Sequence, residues 1–538
     1  MNKIFRILLL PVFILLTVTG CKKSFEDLTK NNNVPSTVPA SLLFNGIVNK
    51  LADLPGQSSY EIYCQYYIYN YDYYGNNRYD NFANGGDNYY NTLKNVVDME
   101  ARATATGGAA VNPYEALGKF FRAYFFSKMS LEEGDIPMTD ALKGLNNLTP
   151  AYDSQKTVMT QSLAWLESAN TDLTQLISNP SVAGSGVGGT LSNDIYFNND
   201  LVKWQKVVNT FRIRLLLQLS KRADDNADMN IKQQFAQIVG NPTKYPIMQS
   251  SDDNLQYVFL TPNNFYPQNP NNFGQSGSRQ NMSATYVGLL TQLKDPRVFV
   301  TSEPARYSVD TAKISPTSFN AFIGADPGLD LGVMYNNATL QRYSFLNRKH
   351  FYSTYTGEPS IQIGYPELML NIAEGINRGW ATGDAEAYYV KGIQASFQYY
   401  NIPTGTGTFT AYFYRPGSTT GPTVLGNYDT YTINVDWPTY YNQAAVKYAG
   451  SGNSGLKQIL QQKYVALFRH SGLESYFMYR RTLVPTFTVG PGTGNSSRIP
   501  QRYEYPTSER TVNAANYNKA LSQLGGSDDI NGIMWLLK

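Results

Sequence analysis

Lys3 and Arg6, an apolar run from Ile7 to Val18 and the sequence Val18-Thr19-Gly20-Cys21 constrain this chain more than anything that follows them. A basic start, a short apolar segment and small residues before a cleavage point make a secretory signal over 1–20, too short to span a bilayer permanently. Its ending resembles the bacterial lipobox, in which the cysteine is acylated and opens the mature protein, so Cys21 is the expected lipidation site. Buried acyl chains gain roughly 0.8 kcal/mol per methylene, enough for several chains on one residue to moor a folded body. Cys64 is then the one remaining thiol. No intrachain disulfide can form, and stability has to come from packing.

Charged side chains make up 16% of the 538 residues, whereas Tyr reaches 42, so polarity rests on Asn, Gln, Ser, Thr and Tyr. Removal of the signal leaves 42 basic against 41 acidic side chains. That balance offers no electrostatic reason to expect nucleic acid. His350, His470 and Cys64 fall short of a Cys/His zinc site, and neither a metal nor a cofactor is expected. Residues 21–40 are polar and Pro-spaced, as suits a lipidated tether.

Beyond the tether the signals are helical. Asn112 and Pro113 form an N-cap and first-turn pair ahead of Leu117, Phe120, Phe121, Tyr124 and Phe125. Apolar residues recur at helical spacing over 157–177 and 201–222, and again from Leu456 through Leu467. Pro366 opens a helix that Gly379 and Gly383 punctuate, and Asp384 caps a second one to Tyr400, a pair the size of one tetratricopeptide hairpin. Long Gly, Asn, Pro and Tyr segments (60–91, 180–200, 262–283, 303–358, 401–455 and 485–510) read as loops. The fold class is mainly α with long irregular loops.

Several ordered segments resemble the SusD/RagB nutrient-binding outer-membrane lipoproteins of Bacteroidetes, in particular the SusD-like second branch. They include Gly134-Asp135-Ile136-Pro137, Asp200-Leu201-Val202-Lys203-Trp204 with Asn209 to Leu215, and Asp295-Pro296-Arg297. Pro366-Glu367-Leu368 through Gly392-Ile393, then Gln462-Lys463-Tyr464, Arg480-Arg481-Thr482 and Pro500-Gln501-Arg502, complete the set. One departure is Gly375, which costs about 1 kcal/mol against the Ala more usual in such a helix. The resemblance implies a helical scaffold with tetratricopeptide-like hairpins, forming one domain over 41–538. It also implies a non-catalytic, surface-exposed, lipid-anchored protein of the outer membrane that captures oligosaccharides or other oligomers and delivers them to a SusC-like TonB-dependent transporter. Most motif residues read as structural: turns, helix ends and carboxylate partners.

Neutral oligomers offer no charge to grip, so aromatic faces ringed by hydrogen-bonding groups are the natural site. The densest supply is the run of tyrosines from 60 to 79, from which Tyr66, Tyr67, Tyr73 and Tyr74 are candidates, although such a stripe is more often core. Tyr266 sits among Pro and Asn. Tyr428, Tyr431, Trp437, Tyr440 and Tyr441 lie in a Gly/Thr-rich stretch, where a ring has fewer ways to be core. The Gly184 to Gly189 run lacks the strand and helix that a phosphate loop needs. Two alternatives stay open: a peptide ligand, bound through backbone hydrogen bonds, and a surface hydrolase, whose two carboxylates need only spatial proximity. The acidic pairs Glu132-Glu133, Asp252-Asp253 and Asp528-Asp529 are adjacent on the chain, with nothing in the sequence to make them face one another.

Overall fold

The computed structural model describes residues 38–56, 59–71, 77–418 and 420–538. The signal, Cys21 and the tether to residue 37, as well as Tyr73 and Tyr74, lie outside the described residues.

The scaffold is a chain of packed helices: α1 (Ala40–Val48), α2 (Tyr90–Ala105), α3 (Pro113–Glu133), α4 (Gln155–Ser178), α5 (Leu201–Gln218), α6 (Ile231–Gly240), α7 (Ala284–Gln292), α8 (Leu331–Thr339), α9 (Tyr365–Asn377), α10 (Ala385–Tyr399), α11 (Asn453–Ala466), α12 (Glu474–Thr482) and α13 (Ala514–Leu521). Side-chain caps satisfy amides that the first turn leaves unpaired. Asn112 accepts from the amides of Tyr114 and Glu115, Ser154 from Thr157, and Asp200 from Val202 and Lys203. Helix α3 packs between α2 and α4, and α4 packs on α5. Trp204 of α5, fully buried, sits edge-on to Phe44, Phe121 and Phe197 at 6.1, 6.1 and 5.3 Å.

The α9–α10 hairpin follows the sequence expectation, with Pro366 in the first turn and the Asp384 carboxylate accepting from the Ala387 amide at 3.0 Å. Gly392 lets the two helices close up, since a Cβ there would stand 2.6 Å from Leu370. Gly375 has a packing reason of its own: a Cβ would meet the Phe235 ring at 2.1 Å. The departure from an Ala-rich helix thus makes room for α6.

Motif charges lock the scaffold from inside. Arg297 forks onto Asp295 at 2.9 and 2.6 Å, both side chains fully buried. Arg481 of α12 binds Glu374 of α9, Arg214 of α5 binds Glu367, and Arg480 donates to the carbonyls of Leu131 and Gln501. Removing one member of such a pair strands a buried charge, which costs about 3–5 kcal/mol.

Strands are few and antiparallel: β1 (Tyr67–Tyr69) pairs β3 (Gln280–Met282), β2 (Leu255–Tyr257) pairs β4 (Ser360–Ile363), and β5 (Thr406–Tyr414) pairs β6 (Tyr428–Asp436). Four segments read as loops therefore hold regular structure. Residues 60–91 contain β1, 262–283 contain β3, 303–358 contain α8, and 401–455 contain the β5–β6 hairpin. The alternation Thr406-Gly407-Thr408-Phe409-Thr410-Ala411 is a strand signal masked by its weak apolar members. Among the described residues no helix is long and apolar enough to cross a membrane.

Candidate ligand-binding surface

Half of the aromatic candidates are core. Tyr66 stacks on Tyr464 at 4.7 Å and donates to the Tyr464 carbonyl at 2.9 Å, and Tyr67 is buried inside β1. The Tyr266 hydroxyl accepts from the Arg469 guanidinium at 3.0 Å. Tyr428 donates to the Pro422 carbonyl at 2.7 Å, and Tyr440 donates to Asp295 at 2.6 Å. The physical reason is common to all five: each ring fills a gap between elements, each is closed off from solvent, and four of the hydroxyls find a partner indoors.

The remaining hairpin candidates are half-buried. Trp437 stacks on Tyr441 (5.7 Å, 12°) and packs edge-on to Phe397, while Tyr431 lies against Phe413 at 5.5 Å. Burial and a hydrogen bond to Glu386 push the Tyr441 hydroxyl above its ordinary value. Beside them a cleft of about 720 Å³ opens between the hairpin (Gly407, Ile433, Val435, Asp436) and Lys294, Pro296, Phe299 and Phe319. Its volume falls within the range of small-ligand sites. Tyr440 reaches its wall; Trp437 and Tyr441 do not.

A second surface assembles from segments far apart in sequence. Tyr71 follows β1, and the Asn70 amide donates to the Arg279 carbonyl at 3.0 Å, extending the β1–β3 pairing by one residue. The Asn77 side chain bonds both the amide and the carbonyl of Tyr69 at 2.8 Å, fixing the far side of the segment. Across from Tyr71 stands Tyr335 of α8, a helix capped by Asp330 and seated through Met334 on a satellite core of Ile68, Ala325 and Tyr343. The two rings lie 6.0 Å apart at 42°, with 36% and 44% exposure, and the Arg279 guanidinium sits 5.3 Å over the Tyr71 face.

Two exposed rings held at an angle can present apolar faces to pyranose C–H groups, and tyrosine hydroxyls can hydrogen-bond to the sugar's own. Sequence reasoning passed over Tyr335 and Arg279. The signal was there in Asp330, an N-cap residue followed by a short helix that leaves one aromatic on its polar side.

The acidic pairs are engaged elsewhere. Glu133 accepts the Gly86 amide at 3.0 Å and Glu132 the Asp87 amide at 2.6 Å, Asp253 pairs with Lys206, and Asp528 with Arg502. Burial lifts Glu133 to about 8. Cys64 is buried, and burial pushes its thiol up, as befits an inert core residue. Among the described residues no group of three or more His, Cys, Asp or Glu is placed to hold a metal ion.

The family model SusD-like_2, described as starch-binding associating with outer membrane, matches residues 31–506. Among solved structures the chain is similar to a SusD homolog from Bacteroides fragilis at 27% identity and a TM-score of 0.77, covering 93% of this chain and 100% of that one. A second SusD homolog from the same organism shares 27% identity and a TM-score of 0.73, with coverage of 93% and 100%. A chitin-binding SusD homolog from Flavobacterium johnsoniae shares the fold at 20% identity and a TM-score of 0.65, covering 93% and 98%. No curated protein matches the chain.

Proposed function

We propose, from the premise that this chain belongs to the SusD-like outer-membrane family, that it is a non-catalytic lipoprotein binding neutral oligosaccharides on the Tyr71–Tyr335 surface. The observation carrying this reading is the pair of exposed, mutually tilted rings fixed by a strand on one side and a capped helix on the other. Rings so held lose little freedom on binding, which favours recognition of a ligand without charge. In this reading residues 41–538 act as one domain, Cys21 carries the acyl anchor, the body faces outward from the outer membrane, and the glycan passes to a SusC-like TonB-dependent transporter. The family description and the chitin-binding neighbour together name two glycan classes to try first, α-glucans and chitin fragments.

The test is calorimetry with maltooligosaccharides and chitooligosaccharides on the mature protein and on a Tyr71→Ala/Tyr335→Ala variant. Affinity should fall tenfold or more with the melting temperature unchanged. Equal affinity in the variant removes this surface, and no affinity for either series removes those glycans.

A further inference from the structure

The β5–β6 hairpin keeps an unbroken register from Thr406↔Asp436 to Tyr414↔Tyr428. Two flanking bonds fix which groups face which way: the Trp437 amide donates to the Gly405 carbonyl at 3.1 Å, and the Arg415 amide to the Asn427 carbonyl at 2.7 Å. Hydrogen-bonded positions alternate along an antiparallel pair, so Asp429, Tyr431, Ile433 and Val435 of β6 bond to β5. The main-chain amides and carbonyls of Thr430, Thr432 and Asn434 point the other way.

The two edges of the hairpin are treated differently. On β5 the outward carbonyl of Tyr412 accepts from Asn347 at 3.1 Å, and the strand lies against the short helices Val298–Thr301 and Arg348–Tyr352. On β6, nothing among the described residues bonds to the outward groups of Thr430, Thr432 or Asn434. Nor does the strand carry the usual protection of an edge, since between Thr430 and Val435 there is no Lys, Pro, charge or bulge. Its two carboxylates sit toward the ends and are occupied, Asp429 by Arg415 at 2.9 Å and Asp436 by Thr406 at 2.7 Å.

We propose that the free edge of β6 is a docking site for an extended polypeptide segment of a partner protein, added to the hairpin as a third strand. Outward amide and carbonyl pairs recur about every 6.8 Å along the strand, the repeat of another polypeptide in extended form. A glycan carries hydroxyls and no such alternation. The segment should itself alternate in polarity. Side chains on one face would continue the Thr430, Thr432 and Asn434 surface, and those on the other would continue the apolar Ile433 and Val435 side, where the 720 Å³ cleft opens toward Phe299 and Phe319. This inference is independent of the glycan surface around Tyr71.

Selection of a phage-displayed nonapeptide library on the mature protein tests it. Enriched peptides should slow amide exchange at Thr430, Thr432 and Asn434 at least tenfold. Thr432→Pro removes an outward amide without touching a β5–β6 bond, and should weaken binding at least tenfold, whereas Thr410→Pro on the opposite edge should not. N-methylation of the peptide at alternate residues, which leaves the protein unaltered, should abolish binding in one register and spare it in the other. The proposal is overturned by a failure to enrich any peptide, by indifference to both N-methylated registers, or by maltooligosaccharides or chitooligosaccharides protecting those amides in place of peptides.

Discussion

Tyr66 and Tyr71 belong to one tyrosine-rich segment and do opposite work. Tyr66, 1% exposed, is roofed by Tyr464, Tyr286 and Phe468, which arrive from α11, α7 and the turn after α11. Tyr71, 36% exposed, meets Tyr335 and Arg279 at the rim. Local spacing is the same kind of stripe at both positions. What separates them is the supply of distant elements, and that is a tertiary property.

The sharpest way to break this contrast is a pair of truncations. Tyr66→Ala should cost about 3–5 kcal/mol in urea unfolding, since it empties a packed ring site and removes a buried hydrogen bond to the Tyr464 carbonyl. Tyr71→Ala should change stability by less than about 0.5 kcal/mol. If the two variants unfold at the same urea concentration, the division between core and surface rings is wrong.

The same contrast extends to charge inside the scaffold. Burial would raise Glu374, but the guanidinium groups of Arg481 and Arg378 outweigh it and hold the carboxyl below its ordinary range. At Glu133 the pull of Arg502 and the Gly86 amide does not offset burial, which lifts it from 4.5 to about 8. The signs are therefore opposite. Glu374 contributes stability that is present above its unfolded value and lost as pH falls through the lower folded value. Glu133 contributes stability that is complete below 4.5 and lost as pH rises toward about 8. Glu133→Gln, which keeps an acceptor for the Gly86 amide, should flatten the decline in unfolding free energy over that interval. An unchanged slope would place the titration elsewhere.

Helices α3, α4, α5, α9 and α10 were legible because they carry their own boundary chemistry: Asn112 with Pro113, Ser154, Asp200, Pro366 and Asp384 cap or open the helices that the apolar spacing marks. The hairpin was not, because Thr and Gly at 406–410 blur its alternation and its inner face is completed by Phe299 and Phe322, which the strand sequence does not contain. Among the site candidates chosen for density, Tyr66 and Tyr67 are buried by it, and Tyr73 and Tyr74 lie outside the described residues. Rings in a crowd find one another, as Tyr66 found Tyr464, whereas Tyr335, alone on the polar side of α8, stayed outside. Legibility thus tracked locality: caps and periods are written in neighbouring residues, while exposure is decided by segments hundreds of positions away.

The finest test of the surface side concerns Arg279. Its guanidinium lies 5.3 Å from the Tyr71 ring centre, over the ring face. An exposed cation–π contact is worth about 0.5–1 kcal/mol, so Arg279→Gln should weaken binding of the preferred glycan by roughly two- to fivefold. Arg279→Lys keeps the charge but not the planar fork. If the guanidinium acts through its geometry, the lysine variant should bind as weakly as the glutamine variant in calorimetry. Full affinity with lysine would mean that charge over the ring is what matters, and full affinity with glutamine would leave Tyr71 and Tyr335 to hold the ligand by themselves.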